Sequence, residues 1–165
     1  MDTRNNSLKT PTGGKILSFY LDQEEYAVEI AKVLEITAPL TPTPVPHSAA
    51  HILGVINLRG RIMPVIDLKK KLGLGQTETG PLSCLIVVCA KNAEAALLVD
   101  RVNEVRDLSH EKIQTLPELN QAEDGIFLLA MGQAGGKIKL LLNLDTLVES
   151  PDTQTCREQA NAHTP

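Results

Sequence analysis

A chain of 165 residues with a formal net charge of -4 has room for one domain with a real core, or for two small lobes sharing one. It is too acidic for bulk charge to hold it on nucleic acid or an anionic membrane. Hydrophobic residues make up 42% and aromatic residues only 2%, with no Trp, so Val, Ile and Leu must build the core and the composition argues against base-stacking platforms.

No apolar run approaches the roughly 20 residues of a membrane helix, and the opening lacks a signal-peptide segment. The expectation is a cytoplasmic protein without direct membrane insertion. Residues 1–14 are polar and aperiodic, and read as a flexible tail. "KILSFYLD" alternates with apolar residues on both faces, the pattern of a strand covered on both sides. After a tight turn at "DQEE", the segment "YAVEIAKVLEIT" spaces Val28, Ile30, Val33 and Ile36 so as to predict a strand, a bulge or helical turn, and a second strand. The prolines of "APLTPTPVPH" remove backbone donors and predict a rigid crossing.

"SAAHILG" reads as a short helix with Ser48 as N-cap and Gly54 as its stop. "VINL" and "RIMPVIDL" form a hairpin about Arg59 and Gly60, with Pro64 marking an edge or a bulge. "LKKKLGLG" is a single helical turn ended by Gly73. "GQAGG", residues 132–136, joins two later strands as a hairpin loop, and residues 150–165 read as a second flexible tail. Cys84 and Cys89 face opposite ways along one strand, and with Cys156 they read as reduced thiols.

The second half echoes the first. At an offset of 69, Leu17, Phe19, Ile30, Val33, Glu35 and Ile36 fall on Ile86, Val88, Val99, Val102, Glu104 and Val105. At an offset of 76, Ile62, Asp67 and Leu68 fall on Ile138, Asn143 and Leu144. An ordered repeat of this kind predicts two similar small β-barrels of about five strands, neither secure alone, packed over a shared apolar seam. The expected domain is 15–149. Its first barrel lies mainly in 28–80 and its second in 81–149, with strand exchange from 15–27.

Enzymatic readings find no support. His47 and His51 are four apart but lack the Glu of a zinc-protease helix, His110 has no evident partner, and Cys89 lies in an apolar strand. Phosphate-binding glycine loops are absent, and Asp67 and Asp100 end strands, where aspartate bonds turn amides. Binding is the expected function, with no catalytic residue, cofactor or metal. A small barrel that binds nucleic acid is the rival class, against which the acidic balance and few aromatics count.

By parity, Ile56, Leu58, Ile62, Ile66 and Leu68 supply one face of the hairpin, and Asn57, Arg59, Arg61 and Asp67 the other. Val33 and Glu35 similarly face away from Leu34 and Ile36. A glutamate in that apolar setting wants a counter-charge, and Arg59 is the nearest candidate, although an ordinary surface arginine is the simpler reading on spacing alone. A fixed Arg–Glu pair would hold an amphipathic patch ready for a partner helix.

"HILGVINLRGRIMPVIDLKKKLGL", with "AVEIAKVLEI" before it and "LLVDRV" after, resembles the CheW family of chemotaxis adaptors over about residues 15 to 149. The resemblance implies two five-stranded, SH3-like β-barrels and a non-catalytic link in signalling arrays. That link runs from the cytoplasmic hairpin tip of a methyl-accepting chemoreceptor to the regulatory domain of the histidine kinase CheA. It implies receptor contact at Asn57, Leu58, Arg59 and Gly60, an acidic partner for Arg59 at Glu35, and Val33 and Gly54 lining the same groove. No motif marks the kinase contacts. Ala96 and Asn143 depart from the family pattern, both in the second half.

Overall fold

The computed structural model describes residues 14–107, 113–114, 128–134 and 136–149. Residues 1–13 of the first expected tail and all of the second, 150–165 with Cys156, lie outside them, as does His110. The strands are β1 (Lys15–Leu21), β2 (Glu24–Glu29), β3 (Val33–Thr37), β4 (Ile52–Leu58), β5 (Arg61–Asp67), β6 (Cys84–Ala90), β7 (Ala93–Val99), β8 (Arg101–Asp107), β9 (Ile113–Gln114), β10 (Leu128–Ala134) and β11 (Lys137–Leu142). Two short helices, α1 (Leu68–Lys71) and α2 (Leu144–Glu149), follow β5 and β11, and a 3-10 turn over Ile30–Lys32 links β2 to β3.

The strands form two sheets, in the orders β3-β6-β7-β5-β4 and β8-β1-β2-β11-β10-β9. Exchange β1, β2, β3, β4 and β5 for β6, β7, β8, β10 and β11, and the first order becomes the second apart from β9. The sequence repeat is therefore a repeat of topology. Strand exchange is wider than expected, because β6 and β7 join the sheet of β3–β5 just as β1 and β2 join the other. Each half lends its first hairpin to its neighbour, so neither sheet is complete from one contiguous segment.

The shared seam is present. Leu17, Phe19, Leu21, Tyr26 and Val28 from one sheet pack with Ile66, Ile86, Val88, Leu97 and Val99 from the other, closed over by Leu144, Leu147 and Val148 of α2. Burying aliphatic side chains of this size stabilises by about 1.5–3 kcal/mol each, which makes the seam the principal core. Lys69 adds a polar clasp between the halves. Its ammonium lies 2.6 Å from Asp22 in the β1–β2 turn and 3.5 Å from Asp100 at the end of β7. Asp100 also accepts from the Asp22 amide at 2.6 Å, as a strand-ending aspartate should.

Among the described residues neither sheet closes into a barrel through a ladder. In the five-stranded sheet, the chain leaving β3 returns along the outer edge of β4 through one bridge, Thr43 to Val55, with amide–carbonyl distances of 2.8 and 2.9 Å. The proline-rich crossing has too few donors for more. Gly54 makes the approach possible: its φ is +142°, and a Cβ there would lie 2.2 Å from the Thr43 carbonyl oxygen.

That role overturns the helix expected over "SAAHILG". Residues 46–47 and 50–51 form turns and Ile52 already pairs with Ile66, because the Ser48 hydroxyl turns back to the Val45 carbonyl at 2.8 Å instead of capping a helix. His47 and His51 consequently share no helix face. The "LKKK" turn is as expected. Asp67 caps α1 by accepting from Lys69 and Lys70 amides, and it also accepts from the amide and hydroxyl of Thr77, pinning the following loop. The "GQAGG" loop is shorter than expected, since Gly132–Ala134 belong to β10 and β11 resumes at Lys137. Pro64 sits in an interior strand, at a point where the β7 ladder has not begun; that ladder starts at Val65.

Candidate functional site

The β4–β5 turn has two residues, Arg59 and Gly60, with φ of 55° and 83°. Two consecutive positive φ values define the tight hairpin turn that matches strand twist. The Asn57 side chain secures it, its Oδ1 accepting from the Gly60 amide at 3.0 Å. A turn so short fixes the origin of the Arg59 side chain.

From there the guanidinium reaches Glu35 in a two-pronged contact, Nε to Oε1 at 3.2 Å and Nη2 to Oε2 at 3.5 Å. Glu35 lies on β3 and Arg59 beside β4, the two ends of the sheet order, so the pair spans the open side that the ladder does not close. The Glu35 hydrogen bond, and then its charge, push the Arg59 guanidinium above the usual arginine range. Arg59 is 72% exposed and Glu35 25%, so the arginine keeps a free face towards solvent. A second pair, Arg61 with Glu94, ties β5 to the start of β7.

The faces differ from simple alternation in two ways, each with a mechanical cause. Across the two-residue turn Leu58 pairs with Arg61, Asn57 with Ile62 and Ile56 with Met63, so parity switches. Met63 and Val65, rather than Ile62, join Ile56 inside the sheet, with Leu58 packed partly against them. In β3 the register slips at Leu34: Val33 opposes Val88, whereas Glu35 opposes Val87 and Ile36 opposes Ile86. This bulge turns Val33 and Ile36 to the seam face and Glu35 to the other, so Val33 and Glu35 do not share a face.

The repeat reproduces the arrangement in β8. Its register slips at Asn103, which puts Val102 opposite Phe19 and Val105 opposite Leu17, both on the seam face. Val33 and Val102 each pack partly exposed on the seam core, while Ile36 and Val105 remain 44% and 51% exposed. Two edge strands thus present matching apolar pairs at the seam, with the Arg59–Glu35 pair at the end of one of them.

Of the residues expected at the site, Glu35, Asn57, Arg59 and Gly60 meet at the hairpin turn, whereas Val33 lies on the opposite, seam face of β3. Leu58 faces inward. Gly54 is buried beneath the crossing and lines no groove, because Thr43 fills the space a side chain would take. Ile36, Val102 and Val105 were not singled out. Their signal was the spacing of three residues between apolar positions in both repeats, which a strand reaches only through a bulge.

Residues 15–152 match the model of the CheW-like domain. A relative from Rhizobium meliloti, Chemotaxis protein CheW, is 31% identical over 88% of this chain and 94% of its own length. The protein of the same name from Bacillus subtilis is 28% identical over 87% and 92%. The crystal structure of scaffolding protein TtCheW from Thermoanaerobacter tengcongensis superposes with a TM-score of 0.77 at 32% identity, covering 86% of this chain and 96% of that one. On sequence, length and topology together, the chain belongs to the CheW family of chemotaxis proteins.

Proposed function

We propose that this protein is a non-catalytic chemosensory adaptor that couples the cytoplasmic tip of a chemoreceptor to the regulatory domain of the histidine kinase CheA in signalling arrays. Its place is cytoplasmic, recruited to receptors at the membrane; no described helix is long and apolar enough to cross one. Each of its two sheets belongs to a small SH3-like barrel in this reading.

The receptor hairpin lies along the seam, with Val33, Ile36, Val102 and Val105 receiving the apolar stripe of its helices. The observation that carries the reading is the two-pronged Arg59–Glu35 contact, held by a turn with no slack beside that apolar surface. An exposed pair of this kind adds little to stability. What it does is hold one guanidinium orientation while leaving donors free for a partner's carboxylate or helix carbonyls.

Titration of the protein against a soluble chemoreceptor cytoplasmic fragment and the CheA regulatory domain tests the proposal. Arg59→Glu should weaken receptor binding and kinase activation with little change in melting temperature, and adding Glu35→Arg should recover part of the loss. Wild-type affinity in Arg59→Glu, or zero coupling in the double-mutant cycle, defeats the assignment.

A further inference from the structure

The six-stranded sheet hides a charge cluster that the proposed site does not use. Glu25 of β2 and Lys139 of β11 are 3.1 Å apart with side chains only 4% and 2% exposed. Lys139 also reaches Glu104 of β8 at 3.4 Å, and the Asn103 side-chain amide donates to Glu25 Oε2 at 2.8 Å. Next to them the Ser18 hydroxyl donates to the Glu104 carbonyl at 3.2 Å. Among the described residues Glu25 Oε1 has no hydrogen-bond partner.

These contacts converge from three strands on the two residues at the register slip of β8. Ser18 opposes Glu104 and Phe19 opposes Val102, so Asn103 is the extra residue of the bulge. The bulge decides which side chains reach the seam. With Phe19 kept opposite Val102 and no bulge, Leu17 would oppose Glu104. A carboxylate would then occupy the seam face and Val105 would turn to the charged interior, because a slip of one residue reverses every later side chain. Among the described residues β8 is an edge strand with a ladder to β1 alone.

Buried ion pairs are poor stabilisers, since the cost of stripping water from both charges offsets their attraction. We propose that Glu25 is a positioning residue: through Asn103, and with Lys139 holding Glu104, it locks the β8 bulge that keeps Val102 and Val105 together on the seam face. The consequence for receptor binding rests on the proposed function; the register claim does not.

The test replaces the cluster with apolar groups, Glu25→Leu together with Lys139→Met, so that no charge is left stranded and the fold survives. Two quantities are read. NMR cross-strand contacts between Leu17 and Val105 report the register, and titration with the soluble receptor fragment reports affinity. The expected result is loss or doubling of the Leu17–Val105 contacts, and weakening of receptor affinity by about tenfold. Deleting Asn103 in the same background removes the extra residue and leaves both valines on one face without a bulge. That deletion should return affinity to within about threefold of wild type. Unchanged cross-strand contacts overturn the proposal, as does unchanged affinity after the register has slipped. If wild-type protein fails to bind the fragment, the adaptor reading fails, and the NMR contacts still decide whether Glu25 holds the bulge.

Discussion

The two sheets share one topology but differ inside. The interior of the β3–β7 sheet is apolar, filled by Ile56, Met63, Val65, Leu85, Val87, Ala96 and Leu98. At matching places the other sheet has Lys139 for Met63 and Ser18 for Val87, and among the described residues its buried apolar set is Ile16, Ala27, Ala130 and Leu141. Glu94 and Glu25 also correspond, yet Glu94 turns outward to Arg61 while Glu25 stays inside with Lys139. One substitution explains the divergence: beside a methionine a carboxylate must leave for solvent, and beside a lysine it can stay. Backbone pairing fixes this fold, and its interiors tolerate either chemistry provided every charge is matched.

The sharpest way to break the comparison is to strand one charge. Lys139→Ala should destabilise by about 3–5 kcal/mol in denaturant titrations, because Glu25 is then buried without compensation. Adding Glu25→Leu should recover most of that loss and make the second interior resemble the first.

Next in size is the pair Gly54 and Ala130, which occupy matching places in β4 and β10. Gly54→Ala forces a Cβ into the Thr43 carbonyl at a φ of +142°, and should cost at least about 2–3 kcal/mol. Ala130→Gly should cost only about 0.5–1 kcal/mol, through chain entropy.

The caps come third. Asp67→Ala removes the acceptor for two helix amides and for both donors of Thr77, whereas Asn143→Ala removes an acceptor for Thr146 alone. Thermal melts should show a loss of about 1–2 kcal/mol for the first and about half that for the second.

Acid gives the smallest contrast. Burial raises the Glu25 carboxyl, but the Asn103 amide, the nearby Ser18 hydroxyl and the Lys139 ammonium outweigh it and hold the group below its ordinary 4.5. A carboxyl lowered on folding stabilises the native state above its unfolded value, and that contribution fades as pH falls through the folded value. The Glu25→Leu, Lys139→Met protein should therefore lose less stability than wild type between pH 5 and about 3.

Much of this was legible in the chain. The spacing of Val28 to Ile36 predicts a strand, a bulge or helical turn, and a strand, and the structure has both the turn and a bulge between its strands. The paired offsets of 69 and 76 survive as matching strands, from β1 and β6 through to α1 and α2. Charge and neighbourhood make Glu35 a candidate partner for Arg59, but spacing alone favours an ordinary surface arginine, and only the family resemblance implies the pair that the structure shows. "SAAHILG" misled because Ser48 and a later glycine make a helix signature, and nothing local reveals that Thr43 would arrive to pair with Val55.

Local chemistry determined the elements: alternation made the strands, Asn57 with Arg59–Gly60 made the turn, and Asp67 started α1. Tertiary structure decided which faces those strands present, because parity carries only until a bulge or an odd register intervenes. Leu34 and Asn103 look like ordinary strand residues until a neighbouring strand sets the register. That neighbour is supplied by the other half of the chain, so the side chains offered at the seam were settled only when the two halves exchanged their hairpins.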